Sequence, residues 1–168
     1  MNIDQYRTAV EALAAGKSDR RFSNKGSQHA AVVVQQMFHT AADRVRIFSG
    51  ALSPDIYLQE PVKQEIETFL SRAGTSLQVI TQKPINEATA AFLSHFDRVK
   101  ICSLNGEKTA APIEHHFLVA DSRAYRLETD EENREAVVNF NEPRVAASLN
   151  AMFDRALACA PMEKVEPT

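Results

Sequence analysis

Tryptophan is absent from this 168-residue chain, and glycine occurs only five times. The first absence argues against an aromatic-rich binding surface, and the second leaves too few glycines for a Gly-rich phosphate loop. Cysteine is scarce as well: Cys102 and Cys159 lie far apart and form no C-x-x-C pair. They read as reduced, partly buried thiols of a cytosolic protein. Nor is there an excess of positive charge, since the net charge is −3. That excludes a dedicated DNA-coating protein while leaving room for local basic patches. Ala30-Ala31-Val32-Val33-Val34 is the longest apolar run, far short of a membrane span. Met1-Asn2-Ile3-Asp4-Gln5 has no basic region leading into an apolar stretch, so no signal peptide is visible and the expected location is the cytoplasm.

What is present alternates. Asn2 and Gln5 have capping-box spacing, and Ile3, Tyr6, Val10 and Leu13 repeat at helical intervals up to Gly16. A polar stretch with helix breakers, 17–27, follows. A second helix is expected from about Gln28, with Ala30, Val34, Met37, Phe38 and Ala41 along one face. Val45-Arg46-Ile47-Phe48-Ser49 reads as a strand ending at Gly50. Ser53-Pro54 marks a turn, Pro61 suits the first turn of a helix striped by Val62, Ile66, Phe69 and Leu70, and Ala73-Gly74 stops that helix. Strands at 77–81 and 99–102 bracket a weaker helix after Pro84, and Asn105-Gly106 closes the second of them.

This order predicts a largely parallel sheet with helices against its faces. The pattern then changes to a hairpin, His116–Ala120 and Ala124–Leu127 around Asp121-Ser122-Arg123, and to a strand at 136–140. Val145, Leu149, Met152, Phe153 and Leu157 mark a final helix, with Asn141 as the expected N-cap and Pro143 in its first turn. The expected organisation is an N-terminal helix and polar linker over 1–27, one α/β domain over 28–159, and a frayed tail over 160–168.

Residues 114–121 read Glu-His-His-Phe-Leu-Val-Ala-Asp. This segment resembles the heart of the phospholipase D-like superfamily, whose motif is His-x-Lys, four residues, then Asp. Glu114 takes the place of the family's His, His116 that of its Lys, and Asp121 matches its Asp. The surroundings are similar too: Ser49 ends a short strand before Ser53-Pro54-Asp55, Arg72-Ala73-Gly74 leads into Val79-Ile80-Thr81, and Asn141-Glu142-Pro143 opens the closing helix. The resemblance covers roughly 28–158. It implies a mixed β-sheet flanked by helices, with one half-unit per chain. Because the family builds each site from two units back to back, it further implies a homodimer whose 114–121 segments meet near a two-fold axis.

The resemblance also implies a departure in chemistry. The family's nucleophile is a His that carries the phosphoryl group, and Glu114 would bring negative charge to that place. Tyr125-Arg126-Leu127-Glu128 fills the region where the family often has a phosphate-contacting Ser or Asn. In an extended strand Glu114 and His116 share one face and His115 faces the other way. The candidate catalytic positions are therefore His116, His115, Asp121 and Glu114, and the candidate ligand contacts include Ser49, Arg126 and Glu128. Asp121 is equally a turn residue, and His116 equally an interface histidine.

Charge is unevenly placed. Residues 17–46 are rich in Lys and Arg, among them Arg20, Arg21 and Lys25, which are candidate phosphate contacts; residues 128–142 are rich in Asp and Glu. His29, His39 and His95 have no metal-ligand spacing, so neither a metal nor a cofactor is expected. Two functions stay open. One is a homodimeric binding or regulatory module for nucleic acid or a protein partner. The other is a metal-independent phosphodiesterase or nuclease using His115 or His116 at the dimer interface.

Overall fold

The computed structural model describes residues 1–104 and 115–159. Asn105-Gly106, Glu114 and the tail 160–168 lie outside the described residues. Among the described residues there are seven strands in one sheet and six helices.

Helix α1 (Ile3–Ala15) opens on the capping box expected of Asn2 and Gln5, with both reciprocal bonds made. Strand β1 (Phe22–Asn24) follows inside the stretch whose composition reads as linker. Three residues with one polar side chain outward carry too little periodicity to be recognised, and the strand exists because β7 (Glu135–Asn139) offers it an antiparallel partner. Helix α2 (Ser27–Thr40) is buried almost all round, from Ala30 through Val34 and again at Met37 and Phe38. It lies between the sheet on one side and α1 and α4 (Glu60–Ser71) on the other, which is why its apolar residues form no single stripe.

Strands β2 (Arg44–Ser49), β3 (Ser76–Thr81) and β4 (Val99–Ser103) run parallel, joined through the short α3 (Pro54–Tyr57), α4 and α5 (Glu87–Leu93). The other edge of β2 takes β5 (Phe117–Ala120) antiparallel, then β6 (Ala124–Asp130), β7 and β1, giving the order β1-β7-β6-β5-β2-β3-β4. This is the mixed sheet expected from alternating elements followed by a hairpin.

Period-two alternation splits the core. Val45, Ile47, Leu77, Val79, Leu118 and Val138 face the layer containing α1, α2 and α4. Phe48, Ile80, Phe117, Val119 and Tyr125 face α6 (Pro143–Cys159) through Ala146, Leu149, Phe153 and Ala156. Arg46 also points to α6, reaching Asp154 at 2.9 Å and lying 4.8 Å from the Phe153 ring centre. The amide of Ala146 bonds to the Glu142 carbonyl, so Glu142 rather than Asn141 takes the N-cap position of α6. No described helix is long and apolar enough to cross a membrane.

Candidate functional site

Where the parallel strands finish, strand register lines up a row of polar side chains on the α2 face. Asn24 pairs with Ala136, Ala136 with Glu128, and Ser49 with Thr81. The amide of Glu128 bonds to the carbonyl of His116 at 2.8 Å, so those two form a cross-strand pair. Ligand crevices of open α/β sheets form at this end of the strands.

His116 sits at the entrance of β5 with its side chain only 12% exposed. Its Nδ1 faces Glu128 Oε2 at 3.5 Å and its Nε2 faces Gln82 Oε1 at 3.2 Å. Glu128 Oε1 in turn lies 3.6 Å from Arg126 Nη2, both side chains being buried. Arg126 Nε donates to Asn24 Oδ1 at 3.0 Å, and Asn24 Nδ2 donates to the Arg134 carbonyl at 2.7 Å. Tyr57 of α3 is buried nearby. Burial pushes its phenol pKa up, the positive charge of Arg126 opposes this, and the negative charge of Glu128 reinforces it. Glu128 Oε1 and Arg126 Nη2 are buried without a hydrogen-bond partner among the described residues.

The wall beside His116 is Gly50. A Cβ there would stand 3.1 Å from His116 Cε1 and 3.5 Å from Glu131 Oε1, so the glycine lets the strand end sit close against the ring, and a larger residue would push the ring by a few tenths of an ångström. Ser49 uses its hydroxyl to accept from the Leu52 amide at 3.2 Å, holding the turn in which Leu52 has φ of 56°. His115 is exposed, and it precedes β5.

Asp121 is elsewhere. Five residues of extended chain separate it from His116, about 16 Å at the usual strand rise. Its carboxylate accepts from three consecutive amides, Ala42 at 2.9 Å, Asp43 at 2.9 Å and Arg44 at 3.0 Å. With φ of 56° and its own amide bonded to the Arg44 carbonyl at 2.7 Å, Asp121 shapes the hairpin and clamps the α2–β2 loop. The part of the motif that this sequence keeps is held by structural bonds.

The basic and acidic stretches meet. Pairing of β1 with β7 sets residues 20–25 beside residues 134–142. Arg21 makes a two-pronged contact with Glu142, one prong at 2.9 Å, and Lys25 lies close enough to lower the Asp130 pKa, though less than the hydrogen bonds from Asn133 do. Arg44 and Arg46 are drawn to Asp121 and Asp154. Lys17, Arg20 and Lys25 remain exposed along the β1 edge. Of the sequence candidates, then, His116, Glu128, Arg126 and Ser49 share one end of the sheet. Arg21 and Asp121 lie at the other end, and Arg20 and Lys25 flank the β1 edge. Asn24, Gly50, Tyr57 and Gln82 complete the cluster. None carried a sequence signal except Gly50, which ends a predicted strand.

No family model matches this sequence, and no curated protein matches it. Solved structures do. An archaeal chromatin protein, TrmBL2, whose structure shows a novel mode of DNA binding, aligns over 95% of this chain with a TM-score of 0.62 and 13% identity; the chain spans 61% of its length. NucT from Helicobacter pylori aligns over 84% of this chain and 97% of its own, with a TM-score of 0.59 and 12% identity. Nuc from Salmonella typhimurium, a phospholipase D family member, gives the same coverage with a TM-score of 0.58 and 14% identity. The chain has a phospholipase D-like fold, one unit per chain.

Proposed function

We propose that this protein is a homodimeric, non-hydrolysing phospholipase D-like module of the cytoplasm whose ligand is nucleic acid. The observation that carries the non-hydrolysing part is the setting of His116. Both ring nitrogens are turned toward side chains of the scaffold, Gln82 at 3.2 Å and Glu128 at 3.5 Å, rather than toward a site that a phosphorus atom could enter. Glu128 beside the ring and the exposed Glu131 next to Gly50 place negative charge where a phosphodiester would approach. An electrostatically assisted transition state needs the opposite sign. Glu114 at the family's His position, read from the sequence, adds to the same effect.

Nucleic acid as ligand is supported by the fold shared with TrmBL2, a chromatin protein whose structure shows a novel mode of DNA binding. We assign the contacts to the exposed cations of the β1 edge, Lys17, Arg20 and Lys25, and leave out Arg21, whose guanidinium is engaged by Glu142. The test uses labelled duplex DNA, RNA and a generic phosphodiester in EDTA. Expected are salt-sensitive binding, weakened in Arg20→Ala/Lys25→Ala and unchanged in His115→Ala/His116→Ala, and no turnover. Hydrolysis that survives EDTA and disappears in the double His variant would establish a metal-independent phosphodiesterase instead. Absence of any nucleic-acid binding would point to a protein partner.

A further inference from the structure

The crevice holds a carboxylate where its walls are suited to an external anion. Glu128 is buried, and a buried carboxylate is tolerated only against compensating charge and donors. It has both: Arg126 on Oε1 and His116 on Oε2. Yet the two contacts are 3.6 and 3.5 Å, well beyond the 2.7–2.9 Å or so of a charge-assisted hydrogen bond. Arg126 Nη2 and Glu128 Oε1 accordingly stay buried with no hydrogen-bond partner among the described residues. Arg126 Nη2 is thus a buried donor that Glu128 leaves unsatisfied, and an oxyanion free to settle between Arg126 and His116 can approach it more closely.

Arg126 is not drawn out of position by Glu128. Its Nε is fixed by Asn24, itself anchored on the Arg134 carbonyl, so the outer prong of the guanidinium is aimed into the crevice by residues of β1 and the β6–β7 turn. His116 is likewise fixed from behind, by Gln82 on Nε2 and by the Gly50 backbone against the ring. The donors are therefore set by the scaffold, and Glu128 fills the space between them from the facing strand position.

We propose that Glu128 is a built-in stand-in for a tetrahedral oxyanion of the phosphate class, occupying the space between Arg126 and His116 and so closing it to such ligands. This rests on the reading of the crevice as non-hydrolysing. Turnover by the wild-type protein would sink that reading, whereas the experiment below tests the occupancy of the pocket alone.

Removing the side chain should vacate the pocket while leaving the backbone pair with His116 intact. The probe is inorganic phosphate, with chloride at matched ionic strength as control, and the readout is thermal unfolding of the full chain. Glu128→Ala is expected to gain about 5–10 °C in Tm at roughly a hundredfold excess of phosphate over its Kd. The wild type should move by less than about 1 °C, and Glu128→Ala/Arg126→Ala no more than the wild type. Folding of Glu128→Ala only when phosphate is present would count as the same result. If Glu128→Ala does not fold under either condition, Glu128→Ser, which also vacates the space but leaves a hydroxyl for the buried donors, decides by phosphate-dependent NMR shifts at the His116 ring. An equal phosphate effect on the wild type, or none on the variant that folds, overturns the proposal.

Discussion

Asp121 shows how a residue can match a catalytic motif and still have its chemistry accounted for by the fold. Three amide donors converge on its carboxylate, and its left-handed backbone turns the β5–β6 hairpin. Asp and Asn tolerate that conformation better than other non-glycine residues. Asp121→Ala should therefore lose charge-assisted bonds and gain backbone strain together, destabilising the protein by about 3 kcal/mol, with Asp121→Asn losing less. Urea unfolding of the two variants checks this. A loss for Asp121→Ala below about 0.5 kcal/mol, within the range of ordinary surface substitutions, would remove the structural role assigned here. His116 is the complementary case, a residue whose partners, Gln82 just after β3 and Glu128 of β6, lie far off in sequence or on another strand and so give no local signal.

Among the elements, the weakest in sequence is tied by the strongest polar knot. Strand β1 has three residues, and the chain just before it is fastened by Arg21 to Glu142, at the start of α6. Glu142 also accepts from Tyr125 at 2.6 Å and from Asn139 at 3.1 Å. The bonds from Arg21 and then Tyr125 hold the Glu142 carboxyl down to about 2. In turn, burial first and then Glu142 push the Tyr125 phenol up to about 12. The sign follows from linkage: a depressed carboxyl contributes stability that is present above its unfolded pKa, near 4.5, and is lost as pH falls from there toward 2. A raised phenol contributes stability that is lost as pH rises above 10. Urea midpoints across the acid range should fall for the wild type and fall less for Glu142→Gln. Identical acid slopes would show that the knot does not couple to folding.

For the whole molecule, the sheet edge decides what charge can do. The basic stretch would be a nucleic-acid surface if it stood alone, but β1–β7 pairing lays it beside the acidic stretch. Of that stretch, Lys17, Arg20 and Lys25 remain for phosphate contact, so if they carry the binding the slope of log K against log salt should be shallow, of magnitude about 3 or less. A steep slope would require a basic surface beyond the one assigned. The proposed pairing of two units adds a second expectation: sedimentation should report twice the chain mass at micromolar concentration, and a monomer there would remove the two-fold site.

Local chemistry made much of this protein legible before any coordinates. Period-two and period-3.6 apolar patterns, Asn2 with Gln5, Pro61 and Pro143 mark elements that form where expected, because each depends on neighbours within a turn or a strand. The motif segment pointed to the fold. Strand β1, the all-round burial of α2, the meeting of opposite charges and the company of His116 could be settled only by folding. Each depends on partners dozens of residues away, and register across a sheet, unlike periodicity along a strand, leaves no trace in the order of the side chains.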